Sequence, residues 1–300
     1  MRTFDPLNYP ICFTMPRRLD ANSTWVEHIP FGMLAIDLIR PKLLVELGTH
    51  MGVSYCAFCQ AVKQLDLNTR CYAIDTWKGD IHSTFYNQDV LVDLRSHHDP
   101  LYGSFSYLIQ DTFDNAIQNF PDGSIDILHI DGLHTYEAVK HDFNTWLPKL
   151  SNQAIVLFHD TNVRERNFGV WKLWSELQPK YPNFEFLHGY GLGILGVGQE
   201  TATRIEPLFS LSDLDTQWIR EFFLHLGSYL LIITRKEYQI HALQKQVGEQ
   251  AQRMQALITE KEQMIQKFNA EVLTIYRSRS WRWTRPLRGL FALFQSWKKN

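Results

Sequence analysis

From about residue 22 to residue 198 the chain repeats one pattern: a short apolar, β-rich run followed by a longer stretch with helical spacing. The runs are Leu43–Leu47, Arg70–Ile74, Phe105–Gln110, Ile125–Ile130, Ala154–Phe158, Phe184–His188 and Leu192–Val197. About 14 to 30 residues separate the first six, enough for helical crossovers. Thr135–Leu147 and Phe168–Leu177 are amphipathic examples. Strand and helix alternating in this way fold as a parallel sheet covered by helices on both faces. Only Gly189, Tyr190 and Gly191 separate the last two runs, a connection that permits only an antiparallel hairpin. The expected fold is α/β: doubly wound, seven-stranded and mostly parallel, with an antiparallel final hairpin. Asn22-Ser23-Thr24 supplies caps for a helix running to about Ile39.

The character changes after Gly198. Glu200 to Leu214 reads as a connector. Asp215 to Ile233 is apolar with helical spacing, and Arg220, Glu221 and His225 interrupt it, so it packs on the domain rather than entering a membrane. Ile240, Leu243, Val247, Gln250, Met254, Leu257, Lys261, Met264, Phe268, Glu271 and Ile275 then follow alternating steps of three and four. This is a coiled-coil seam with three polar interruptions, or a single helix docked along the body. Residues 276–300 carry Arg277, Arg279, Arg282, Arg285, Arg288, Lys298 and Lys299 and no acid. Trp281, Trp283, Leu287, Leu290, Phe291, Leu293, Phe294 and Trp297 are interleaved with them. That composition fits an in-plane helix on an anionic membrane, with a protein partner or nucleic acid as competitors. The expected divisions are a domain over 1–200, a packed helical connector over 201–234, a coiled-coil helix over 235–275 and a basic, aromatic tail over 276–300.

Charge divides the same way. The formal total is −2, but residues 235–300 hold 13 basic and 5 acidic groups, which leaves 17 and 27 for the body. An acidic body of −10 carries a tail of +8. With 45% hydrophobic residues the chain is neither disordered nor fibrous. Four cysteines, Cys12, Cys56, Cys59 and Cys71, are too few for a disulfide framework and favour a reducing compartment. Cys56 and Cys59 form a lone C-x-x-C inside an apolar helical run, with no second pair to complete a zinc site. MRTFDPLNYP contains no apolar core of a secretory leader, and no run reaches 18 apolar residues. The expected location is the cytoplasm, with peripheral contact to the inner membrane face through the tail.

The chemistry gathers at strand ends. The first strand runs into Glu46-Leu47-Gly48-Thr49-His50-Met51-Gly52, an E-x-G-x-x-x-G turn. Glycine there lets backbone approach a ligand at the carboxyl edge of the sheet, or simply makes a tight turn. Thr49 and Ser54 offer hydrogen bonds to a ligand. The spacing is not that of a dinucleotide fingerprint. The second strand ends at Asp75, 27 residues after Gly48, where a carboxylate accepts ribose hydroxyls. Trp77 is grouped with it as a cofactor contact. The fourth strand leads into His129-Ile130-Asp131-Gly132-Leu133-His134, and the fifth ends in Phe158-His159-Asp160-Thr161-Asn162. Adjacent parallel strands bring Asp131, His159 and Asp160 together, and such a set can hold a divalent ion with positions left for substrate oxygens. A metal-bound hydroxyl loses its proton more readily, and His134, three residues from Asp131, can take it. The alternative is hydrogen-bonded capping at the sheet edge. His129 points away from this site and is structural. His82, His97 and His98, within the irregular stretch Lys78–Asp99, either touch substrate or belong to a solvated lid.

Together these motifs resemble the class I S-adenosylmethionine-dependent methyltransferases, whose Rossmann-like sheet also has seven strands ending in an antiparallel hairpin. The resemblance implies Glu46 and Gly48 near the amino-acid moiety of the cofactor, Asp75 on its ribose and Asp111 at its adenine. Asp111 equally suits a helix cap. Asp131, His159 and Asp160 are similar in position to the magnesium ligands of metal-dependent small-molecule O-methyltransferases, and His134 falls where the catechol type keeps a lysine base. His159 departs from that pattern and brings manganese, iron or zinc into consideration beside magnesium, or no metal at all. Trp25–Phe31, Val45–Gly48, His129–Tyr136, Phe158–Arg164 and His188–Gly198 resemble methyltransferases of bacterial surface-polysaccharide clusters. The Ser278–Arg288 segment is similar to segments flanking glycosyltransferases. What this implies is O-methyl transfer to a sugar or glycan hydroxyl, self-association through the coiled coil, contact with glycosyltransferases or membrane, and no nucleic acid. The rival is a non-catalytic assembly component acting through its coiled coil and tail.

Overall fold

The computed structural model describes residues 4–80, 84–85, 88–198, 200 and 205–297. It divides into two compact units, Met1–Lys236 and Glu237–Asn300. The first unit is built on one seven-stranded sheet: β1 (Leu43–Leu47), β2 (Arg70–Asp75), β3 (Ser106–Gln110), β4 (Ile125–Ile130), β5 (Leu150–His159), β6 (Asn183–Phe186) and β7 (Leu192–Gly196). Their spatial order is β3-β2-β1-β4-β5-β7-β6. The first five are parallel, and β7 pairs antiparallel with both β5 and β6. All seven expected strands are present. The hairpin forms as the three-residue connection requires, with its second arm inserted next to β5.

Alternation along the strands sorts side chains into two cores. Leu44, Ala73, Ile127, Ile155 and Leu157 pack on one face. Val45, Leu47, Ile74, Leu128, Ile130, Val156 and Phe158 pack on the other. The first core is closed by α1 (Ile29–Ile39) and α2 (Val53–Gln64) with Trp25, and by α3 (Asp89–Tyr102). The second is closed by α4 (Tyr136–Trp146) and α5 (Val170–Leu177). Ser23 caps the turn of 3-10 helix that precedes α1, and Thr135 caps α4.

The second half of the stretch expected to be irregular from Lys78 to Asp99 belongs to α3, which begins at Asp89. Leu91, Leu94, His98 and Tyr102 repeat at helical spacing and are buried. His98 Nε2 lies 2.7 Å from Ser106 Oγ, and Nδ1 lies 2.8 Å from Asp99 Oδ1. His98 is therefore structural, and His82 lies outside the described residues. All four cysteines are buried and unpaired, and burial pushes the Cys12 thiol up to about 12.

A long helix, α6, spans Asp213–Arg277 without a break between the expected connector and coiled-coil segments. Ile219, Phe223, Gly227, Leu230 and Thr234 form its buried stripe. A Cβ at Gly227 would overlap the carbonyl of Glu27, so glycine permits this close approach. Nearby, Ser228 Oγ donates to Glu27 Oε1 at 3.1 Å. In the second unit Ile240, Leu243, Val247, Met254, Leu257, Met264, Phe268 and Ile275 are all exposed. Ser278 caps α7 (Arg279–Trp283), which is followed by α8 (Arg285–Trp297). Among the described residues no helix is long and apolar enough to cross a membrane.

Candidate active site

The carboxyl ends of β1, β2, β4 and β5 open into a cavity of about 570 Å³. Gly48 begins its wall at φ +86, in left-handed backbone. Asp131 N donates to Leu47 O at 2.8 Å, and a Cβ on Gly48 would collide with the Asp131 carbonyl. The two strand tips therefore sit together only because residue 48 has no side chain. Asp75 pins the same turn: its Oδ2 accepts from the amides of Thr49 (2.9 Å) and His50 (2.8 Å). Its Oδ1 accepts from Trp77 N at 2.7 Å. A carboxylate has about four acceptor positions, so roughly one remains for a ligand hydroxyl. Gly48, Thr49, Gly52, Ser54 and Asp75 all line the cavity. Thr49 Oγ1 is buried there without a hydrogen-bond partner.

The cavity floor is a charged cluster. His134 Nε2 lies 2.8 Å from Asp160 Oδ2 and 3.3 Å from Asp131 Oδ1. His159 Nδ1 lies 3.2 Å from Asp131 Oδ1 and 3.4 Å from Asp160 Oδ2. Burial alone would raise both carboxyls. The neighbouring imidazolium charges and hydrogen bonds outweigh it, holding Asp131 well below its usual range and Asp160 at about 2. Burial would likewise lower the imidazoles, but the two carboxylates raise His134 to about 9 and His159 well above its usual value. Two buried negative charges are thus matched by two positive ones. His134 also stacks on Phe168, with centroids 4.7 Å apart and planes at 10°.

The donor atoms that converge within 4.8 Å belong to Asp131, His134 and Asp160. Expected as a ligand, His159 instead donates from Nε2 to Gly189 O at 3.1 Å and holds its Nδ1 against both carboxylates. Expected as a free base, His134 is part of the converging set. Asp160 Oδ1 is buried and unpartnered. Two carboxylates and an imidazole with a spare buried oxygen suit a divalent cation, which would replace the two protons now balancing the acids.

Residues 45–161 match the family model described as a methyltransferase domain. A protein of Sinorhizobium fredii described as uncharacterised is 44% identical to the chain over 233 residues, which is 77% of this chain and 25% of that protein. The chain spans about a quarter of that relative's length. Among solved structures, a methyltransferase of Podospora anserina bound to S-adenosylhomocysteine is 15% identical, with 56% of this chain and 77% of the other covered at a TM-score of 0.43. The O-methyltransferase TomG of Streptomyces achromogenes, involved in tomaymycin synthesis and solved with S-adenosylmethionine, is 12% identical, with 64% and 95% covered at a TM-score of 0.44.

Three residues expected at the cofactor do not line the cavity. Glu46 is fully buried, and its Oε2 accepts from His129 Nδ1 at 2.8 Å. His129 Nε2 in turn accepts from Trp25 Nε1 at 3.1 Å. Glu46 and His129 are cross-strand partners facing the first core, so strand alternation turns Glu46 away from the opening. Trp77 is buried and donates from Nε1 to His50 O at 3.0 Å, bracing the glycine turn from behind. Asp111 Oδ1 accepts from Thr112 N (2.8 Å) and Asn115 Nδ2 (3.0 Å), while the cap of the following helical turn is Thr112, whose Oγ1 accepts from Asn115 N at 3.3 Å; Thr112 and Phe113 line the cavity. Sequence reading missed further lining residues: Asp20, Asn22, Ser23, Thr24 and Trp25, with Phe168 and Tyr190. Trp25 was visible as the tryptophan following a capping triplet, but no local period assigns it to the cavity.

Proposed function

We propose that the chain is an S-adenosylmethionine-dependent O-methyltransferase acting on a sugar hydroxyl. The observation that carries this reading is the acid–imidazole cluster beside the glycine turn and Asp75, within one cavity. When bound, S-adenosylmethionine supplies a methyl group as an electrophile. The glycine turn, Thr49, Ser54 and the spare Asp75 acceptor position would hold it. An alcohol is a weak nucleophile until its proton is removed, and a buried cluster of two carboxylates and two imidazoles supplies that function. In this reading the minor neutral form of His134, whose imidazole the two carboxylates raise to about 9, takes the acceptor proton on Nε2, so transfer should quicken as pH rises towards 9. The resulting cation is held between Asp131 Oδ1 and Asp160 Oδ2, the arrangement seen in the structure. His159, anchored through Gly189, keeps both carboxylates ionised. Exact placement of the two reactants supplies most of the acceleration. The hydroxyl-bearing acceptor is supported by the cavity lining, which includes Asp20, Asn22, Ser23 and Thr24 as well as Trp25 and Tyr190. Polar side chains flanked by aromatic faces suit a sugar ring.

A second reading rests on the converging donors and the unpartnered Asp160 Oδ1. Asp131, His134 and Asp160 would hold a divalent cation, which when bound supplies Lewis-acid activation of the hydroxyl. His134 would then be a ligand and not the base. Loss of transfer on chelation, restored by added metal, selects this reading.

The test of the function is S-adenosylmethionine in a thermal melt followed by methyl transfer to glycan acceptors. Binding to the native state raises the melting temperature by mass action. Asp131→Ala is expected to lower transfer by ~100-fold or more while that thermal shift is kept. No shift at millimolar cofactor would return the chain to the non-catalytic assembly reading.

A further inference from the structure

We propose that α7 and α8 form a docking element for an anionic lipid surface, with α8 lying in the membrane plane. At about 100° per residue, Leu287, Leu290, Phe291, Phe294 and Trp297 fall within an arc of about 120° on α8. They are between 60% and 88% exposed. Arg285, Gly289 and Ala292 occupy the opposite face, with Arg288 and Gln295 along its edge. A strong apolar face backed by small, polar and basic residues is the pattern of an interfacial helix. The helix has 13 residues, so its length of about 20 Å falls short of the ~30 Å hydrocarbon core. Lying flat is therefore the geometry open to it.

Charge selects the kind of surface. Residues 276–300 hold seven basic groups and no acid, while the rest of the chain is acidic overall. The acidic remainder is repelled by an anionic surface, so attraction is confined to this end of the sequence. Arg288 joins the two helices: its guanidinium sits 3.6 Å from the Trp281 ring centroid, and Nη2 donates to Trp281 O at 2.6 Å. Trp283 is 85% exposed. Tryptophan at the edge of such a segment settles at the headgroup level. Single-stranded nucleic acid is a poorer fit, because stacking sites place aromatic and basic groups on one face. On α8 those groups lie on opposite faces.

The test is flotation of the full-length chain with vesicles of phosphatidylcholine alone and of phosphatidylcholine containing about one-third phosphatidylglycerol. Binding to the anionic vesicles is expected to exceed binding to the neutral ones by at least ~10-fold and to weaken as salt rises. Phe291→Glu with Phe294→Glu should abolish it with the melting temperature unchanged, since both side chains are exposed. Arg279→Gln, Arg282→Gln and Arg285→Gln together should remove the anionic preference. Equal binding to both vesicle types, no binding to either, binding that survives the paired glutamates, or displacement of the chain from vesicles by a single-stranded oligonucleotide would each overturn the proposal.

Discussion

Asp160 holds its two oxygens in unlike surroundings. Oδ2 is paired with two imidazoles, and Oδ1 is buried with no partner. An arrangement this costly in a folded chain points to a ligand, because buried acceptors are ordinarily satisfied. Glu46 shows the opposite case: burial raises its carboxyl, and its contact with His129 partly offsets that. Glu46→Ala leaves the His129 Nδ1 proton buried and unpaired and should cost ~2–3 kcal/mol in urea unfolding, whereas Glu46→Gln keeps an acceptor and should cost less. Asp142, on α4, gives a pH-dependent prediction. Burial raises its carboxyl to about 7, the His141 charge opposes that and the Asp114 charge adds to it. In the unfolded chain it ionises near its ordinary value of ~3.9. Below that value both states are protonated and no penalty exists; above pH 7 the folded state must bear a buried charge. Stability from this group therefore falls as pH rises from 4 to 7. Asp142→Asn should raise the melting temperature at pH 8 and leave it nearly unchanged at pH 4, with an upper bound of ~4 kcal/mol. Of these residues, Asp131, His159 and Asp160 were legible because strands four and five are neighbours and end together. The partner of His129 was not, since Trp25 lies 104 positions away.

At the scale of elements, the strands were the most legible part. Near-continuous burial marks β1 and β4, because both faces of a parallel sheet are covered and the runs are bounded by turns. β5 is longer than its apolar core, starting at Leu150, because its first residues are polar and largely exposed yet still pair with β4 at Ile125. The helix α3 was read as irregular because its apolar positions are few and Pro100 lies inside it. For α6, the buried stripe ending at Thr234 hinges on Gly227. Gly227→Ala should destabilise the fold by ~1–3 kcal/mol despite alanine's better helix propensity, because the methyl group meets the Glu27 carbonyl. Thermal melting of the variant against the parent chain measures it.

Across the whole molecule the sequence carries two kinds of information. The seven strands, the doubly wound class, the antiparallel hairpin, the long C-terminal helix and the amphipathic tail were set locally. Each depends on a short-range period in hydrophobicity or on a connection length, and burial imposes that period wherever the element ends up. The roles at the cavity were decided only in three dimensions. Glu46 leaves the cavity lining because its carboxylate pairs with His129, which Trp25 also bonds, in the first core. Asp111 is held by Thr112 N and the Asn115 side chain, and Thr112 takes the cap. His134 takes the converging position expected of His159, because the carbonyl of Gly189 fixes the far nitrogen of His159. In each case the deciding partner comes from a distant part of the chain. A hydrogen bond is selective about direction over a fraction of an ångström, which spacing along a sequence does not encode.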